Sequence, residues 1–238
     1  MTELKQSSTL NPEEIQSRYL LAIVYSTQKE YDKAAQEYEA ILQHFSVSNP
    51  DNIEAYTYLA QLYSSQGRYK EAIGQLEKIL SLEPDNTQMM YVLGNLYLDV
   101  QDTTKAIGIL KKAITVDPKH QESLNSLAYA YAEAGTNLDE ALELVHRALT
   151  IDPKNGAYLD SLGWVYFKKG MYEEALKSLQ EADTLLKDSV IYDHLGDVYI
   201  KLNQTAEAKK AWRKSLELVP DQKSIIEKLN DLEKTRPA

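Results

Sequence analysis

A five-residue signature recurs six times along the chain and constrains its fold more than any other feature. "LAIVY" ends at Tyr25, "LAQLY" at Tyr63, "LGNLY" at Tyr97, "LAYAY" at Tyr131, "LGWVY" at Tyr166 and "LGDVY" at Tyr199. The tyrosines are 38, 34, 34, 35 and 33 residues apart. An alanine follows each one: Ala34, Ala72, Ala106, Ala141, Ala175 and Ala208, nine residues on, or ten in the case of Ala141. A unit of this length cannot bury an apolar face alone, so self-similarity at this period requires neighbouring units to stack.

Each unit reads as two amphipathic helices. In the first, Leu, a small residue and Tyr fall at i, i+1 and i+4, which is one face of a helix. Gly67, Gly135, Gly170 or Asn203 follows, where a left-handed C-cap is expected. The second helix opens on acidic residues, as in "YEEA", which suit the positive end of a helix dipole. Pro84, Pro118, Pro153 and Pro220 stand where second helices stop. The small residues let helix axes approach closely. The expected fold class is all-α, an α-solenoid.

These marks resemble the tetratricopeptide repeat family over about residues 15–221. The resemblance implies a right-handed superhelix whose first helices line a concave groove. It implies six units, at about 15–52, 53–86, 87–120, 121–155, 156–188 and 189–221. Residues 1–14 are expected to form an N-terminal extension, and 222–238 a capping helix and tail. The cap is expected to place Ile225, Ile226, Leu229 and Leu232 on one face, with charges elsewhere. The family's usual first-helix Trp is replaced by Arg18, Tyr56, Met90, Leu124, Leu159 and Tyr192; its second-helix aromatic appears as Tyr38 and Trp212.

The stretch "LGWVYFKKG" bears most directly on function. Trp164 and Phe167 lie roughly 60° apart on a helical wheel, and Tyr166 roughly 160° from Trp164. Tyr166 is therefore expected in the core, with Trp164 and Phe167 facing the groove that the resemblance implies. The same register assigns Tyr91, Asn95, Asn125, Tyr129, Asp160, Asp193, His194 and Asp197 to that groove. Some co-chaperones of the family hold a peptide's C-terminal carboxylate with Lys, Arg and Asn at such positions. Asn95 and Asn125 occupy clamp-like places here, but the four groove positions before each signature tyrosine carry no Lys or Arg in any repeat. Asp160, Asp193 and Asp197 instead favour a ligand bearing Lys, Arg or a free amine beside an aromatic shelf.

Composition narrows the remaining classes. With 26 basic and 36 acidic residues the net charge is −10, which disfavours nucleic acid and anionic membrane surfaces. There is no cysteine, so neither a disulfide nor a thiolate site can form. No phosphate-binding loop, nucleophile elbow or HExxH motif occurs, and the four histidines fall in different repeats. No catalytic residue, metal or cofactor is expected. The chain is expected to be a scaffold that binds a protein or peptide partner in its groove, without membrane insertion. The two C-terminal repeats resemble those of bacterial adaptors, including envelope-attached ones. The alternative is a structural unit that assembles or docks through its ends. The first helix, "IQSRYLLAIVYS", is apolar almost all round, and Tyr19, Leu20 and Ile23 call for a cover from residues 1–10, an upstream repeat or a second copy. Without an apparent export signal or lipidation cysteine the chain reads as cytoplasmic, or as periplasmic or envelope-attached if such a signal has been removed.

Overall fold

Short left-handed turns set the architecture. In the computed structural model of the protein, which describes residues 15–45 and 53–234, positive φ angles occur at Gly67 (71°), Gly135 (66°), Gly170 (78°) and Asn203 (60°). These are the four positions where the sequence called for a C-cap. Lys29 (φ 60°) and Gln101 (φ 61°) take the same conformation without a residue type that announces it.

Thirteen helices and no strands occur among the described residues. They are α1 (Ile15–Thr27), α2 (Tyr31–Phe45), α3 (Ile53–Ser65), α4 (Tyr69–Leu82), α5 (Thr87–Asp99), α6 (Thr103–Val116), α7 (Gln121–Ala134), α8 (Leu138–Ile151), α9 (Gly156–Lys168), α10 (Tyr172–Leu185), α11 (Ser189–Lys201), α12 (Thr205–Leu218) and α13 (Lys223–Lys234). The chain divides into two compact units, Met1–Ile109 and Leu110–Ala238, with the boundary inside α6.

In the first unit α1 packs on α2, α2 on α3, α3 on α4 and α4 on α5. Leu21, Tyr25, Ile41, Leu59, Tyr63, Leu76 and Ile79 are buried there. Tyr63 donates to Glu39 and Tyr97 to Glu77, each at 2.8 Å, so a signature tyrosine also ties its unit to the preceding second helix. Burial, then the glutamate, pushes each of these two phenols up to about 12.

In the second unit the pairs α7–α8, α9–α10 and α11–α12 pack internally and against one another, and α13 packs on α12. The six alanines at the fixed interval are all fully buried. Two first-helix glycines show why small residues recur. A Cβ at Gly163 would lie 2.6 Å from Leu179 Cγ, and one at Gly196 2.2 Å from Trp212 Nε1. Here the second helix seats a large side chain directly on the first helix's backbone.

Two expectations are corrected, and a third is only partly described. Tyr166 is only half-buried, packed against the core cluster around Leu179 and Leu195 rather than enclosed by it. In α13, Ile225 is fully buried and Leu229 and Leu232 pack beside it on Ala208 and Trp212, but Ile226 is 39% exposed, since one residue turns it about 100° off the seam. In α1, Tyr19 meets Tyr38 and Tyr58 edge-on at 6.0 and 5.8 Å, whereas Leu20 and Ile23 are 49% and 43% exposed. The cover expected from residues 1–10 lies outside the described residues.

Candidate functional site

The residues assigned to the groove divide between the two units. Tyr91 and Asn95 stand on α5 in the first; Asn125, Tyr129, Asp160, Trp164, Phe167, Asp193 and Asp197 stand on α7, α9 and α11 in the second. Within the second unit, Tyr129, Asp160, Trp164, Asp193 and Asp197 gather around His194, and Phe167 stacks on Trp164.

Trp164 is the centre of this cluster, and it is buried, at 7% exposure, rather than open. Its ring stacks on Phe167 (centres 4.7 Å apart, 4° between planes) and on His194 (4.0 Å, 13°). Its indole N–H donates to Glu133 Oε1 on α7, and Lys168 Nζ lies 4.7 Å from the ring centre. Asp160 is equally buried and sits 2.9 Å from His194 Nδ1. The expectation of an open shelf edged by three free carboxylates is thus corrected. A helical wheel describes one helix alone; α7 and α11 flank α9 closely enough for their side chains to cover its outward face. Tyr129, half-buried on α7, completes the row at 6.4 Å from His194. Asn125 lies one turn before Tyr129, with its Oδ1 buried and unpaired among the described residues.

The electrostatics follow from this geometry. Burial alone lowers the His194 imidazole, but Asp160, backed by Asp193 and Asp197, outweighs it and raises the group above its ordinary value. When protonated, His194 donates from Nδ1 to Asp160 and presents a cationic face to the indole. Burial pushes the Tyr129 phenol up, with Glu133, Asp160 and Asp193 adding to it.

Asp193 and Asp197 are half-buried, one turn apart on α11, and both hold Lys228 of α13. The ammonium lies 2.7 Å from Asp193 Oδ1 and 2.8 Å from Asp197 Oδ1, with its Nζ 5.6 Å from the Trp212 ring centre. Burial raises the Asp197 carboxyl above its usual range despite this partner, which lowers it. Burial lowers Lys228, but the two carboxylates raise it overall. The sequence offered no sign of Lys228, Glu133 or His194 as members of this cluster beyond the register of His194, because each partner comes from a different helix.

A second feature carries no mark in the sequence beyond groove register. In the first unit a cavity of about 320 Å³ is lined by Thr57, Gln61, Ser64, Met89, Val92 and Leu96 among others, with no charged residue in its wall. Another of about 300 Å³ abuts it through Gln61 and Ser65 and reaches Ile23 and Tyr58. Thr57, Gln61 and Val92 stand at groove register, so that register does mark a concave surface here. Among the described residues no cluster of His, Cys, Asp and Glu could hold a metal ion, and no helix is long and apolar enough to cross a membrane.

Family models for the tetratricopeptide repeat match residues 13–85, 64–122 and 97–162, and one for a tetratricopeptide repeat-like domain matches 159–234. The chain belongs to the tetratricopeptide repeat family. Such tandem repeats generally present extended surfaces to other proteins. A search of curated protein sequences returns no match. Among solved structures, a tetratricopeptide repeat protein from Parabacteroides merdae is similar, with 19% identity, a TM-score of 0.77 and coverage of 95% of this chain and 88% of that one. A thermophilic repeat protein of Thermus thermophilus has 21% identity and a TM-score of 0.67, covering 75% and 97%. PilW, a widely conserved type IV pilus biogenesis factor, has 16% identity and a TM-score of 0.69, covering 91% and 99%. At these identities the likeness carries the fold, an all-α solenoid.

Proposed function

We propose that this tetratricopeptide repeat protein is a non-catalytic scaffold that binds a partner segment on the first-helix face of its second unit, and that the segment brings a Lys or Arg beside apolar side chains. The observation that supports this most is Lys228, an ammonium already seated between Asp193 and Asp197 and beside the Trp212 ring. The face holds a cation with two carboxylates, and stacked aromatic rings lie next to it. Tyr129, Phe167 and Asn125 offer partly exposed contacts on the same side, while Trp164 and the Asp160–His194 pair hold the three helices in register. A preordered surface of this kind loses little freedom on binding, which favours affinity.

The second reading, assembly through the ends, is favoured by Leu20 and Ile23, which leave apolar surface on α1. Photo-crosslinking separates the two. With p-benzoylphenylalanine at Tyr129, at Leu20 or at Glu181 on a second helix, the first reading expects partner adducts from Tyr129 in the source cells. Adducts only from Leu20, above all with a second copy, would favour end assembly and contradict groove binding.

A further inference from the structure

We infer that α13 is a displaceable strap: Lys228 and Ile225 hold, in cis, a docking surface on α11 and α12 that a partner segment of like pattern takes over. This rests on the reading above that the face accepts a basic segment, and it names how access to that face is controlled.

The surface has two halves. The polar half is Asp193 and Asp197, like charges one turn apart on α11 that repel each other unless a cation lies between them. One lysine serves both, so a negative charge is left over when the strap is in place. The apolar half is Ala208 and Trp212 on α12, against which Ile225 is buried. Both halves are anchored without α13. Ile191, Leu195 and Val198 fix α11 in the core, and Trp212 Nε1 donates to the Asp193 carbonyl oxygen at 3.3 Å.

The strap is held lightly by comparison. Among the side chains described in α13, Ile225 alone is fully buried, while Ile226, Glu227, Asn230 and Asp231 are exposed. A helix of 12 residues is too short to persist alone in water, so once Lys228 and the Ile225, Leu229 and Leu232 seam let go the segment unravels rather than re-docking as a unit. The contacts define the competitor. It is a helical segment with an apolar residue, a Lys or Arg three positions later, and apolar residues directly after and one turn beyond that, as in Ile225, Lys228, Leu229 and Leu232.

The probe is a fluorescent peptide matching residues 222–234, with a second version in which the lysine equivalent to Lys228 is Gln. Anisotropy is measured against the full chain and against the full chain carrying Ile225→Ala with Lys228→Gln. The strap predicts that the variant chain binds the first peptide at least tenfold more tightly than the unaltered chain does. The Gln peptide loses at least tenfold, and a chain with Lys228→Arg behaves as the unaltered one. Equal binding to both chains, or equal binding of both peptides, overturns the proposal. Hydrogen exchange on the unaltered chain gives a measurement independent of the variant's folding. Amides of Ile225–Leu232 should exchange at least tenfold faster than those of α12 and faster still with saturating peptide; protection equal to α12 and unmoved by peptide overturns it. A concentration-dependent dimer abolished by Lys228→Gln would make the occupant a second copy instead of a partner. If the peptide fails to displace α13 while Tyr129 still crosslinks to a partner, the strap is wrong and groove binding stands. If Tyr129 gives no partner adduct, groove binding itself has failed.

Discussion

The His194 imidazole lies nearly parallel to the Trp164 indole, 13° between planes and 4.0 Å between centres, and joins α11 to α9 at the middle of the second unit. Asp160 fixes the imidazole from α9, and Glu133 fixes the indole from α7. Three first helices therefore meet at one point, α9 and α11 through the ring stack and α7 through the Glu133 hydrogen bond.

Trp164 is consequently a stability residue. Trp164→Ala is expected to cost about 3–5 kcal/mol, the range for a large aromatic removed from a packed site. Tyr166→Ala should cost less, since its ring is only half-buried. Urea midpoints of the two variants measured side by side check the order; a smaller loss for Trp164→Ala would contradict the buried stack.

The Asp160–His194 pair gives stability a specific pH dependence. His194 has a raised value in the folded protein. Its contribution is therefore complete below the unfolded value of about 6.5 and lost as pH rises through the folded value. Urea melts from pH 5 to 9 should show stability falling over the upper part of that range, and His194→Gln should flatten the fall. Parallel curves for both proteins would exclude the pair as the cause.

Glycine content has opposite meanings at two helix positions. Gly196→Ala forces a methyl against the Trp212 indole, at 2.2 Å in the present geometry, and should destabilise by about 1–3 kcal/mol. Gly74→Ala, with nothing within 4 Å of its Cβ and exposed on α4, should stabilise by roughly 0.5–1 kcal/mol. Thermal melts of the two variants test the sign of each.

The all-α solenoid was legible in the sequence because its determinants are local and periodic. The signature Leu, the small residue and Tyr mark one helix face, and Gly67, Gly135, Gly170 and Asn203 mark the turns. The turns at Lys29 and Gln101 were not legible, because an ordinary residue held at positive φ by its flanking helices carries no sign of it. The side chains of the candidate site were legible by register but not by exposure. Trp164 faces the side its wheel position indicates, yet Glu133 and His194, from helices 31 and 30 residues away in sequence, bury it. Lys228 was beyond reach for the same reason: its role depends on where α13 docks, and α13 read in sequence only as an apolar seam with charges around it.

The most direct test is a salt titration of partner affinity, using the partner captured through Tyr129 and comparing the unaltered chain with Asp193→Asn/Asp197→Asn. Far-UV circular dichroism verifies that the variant remains folded. If the carboxylates receive a partner cation, the variant binds at least tenfold more weakly at low salt and its affinity becomes nearly independent of salt. Equal affinity and an equal salt slope for the two proteins would contradict recognition at this face.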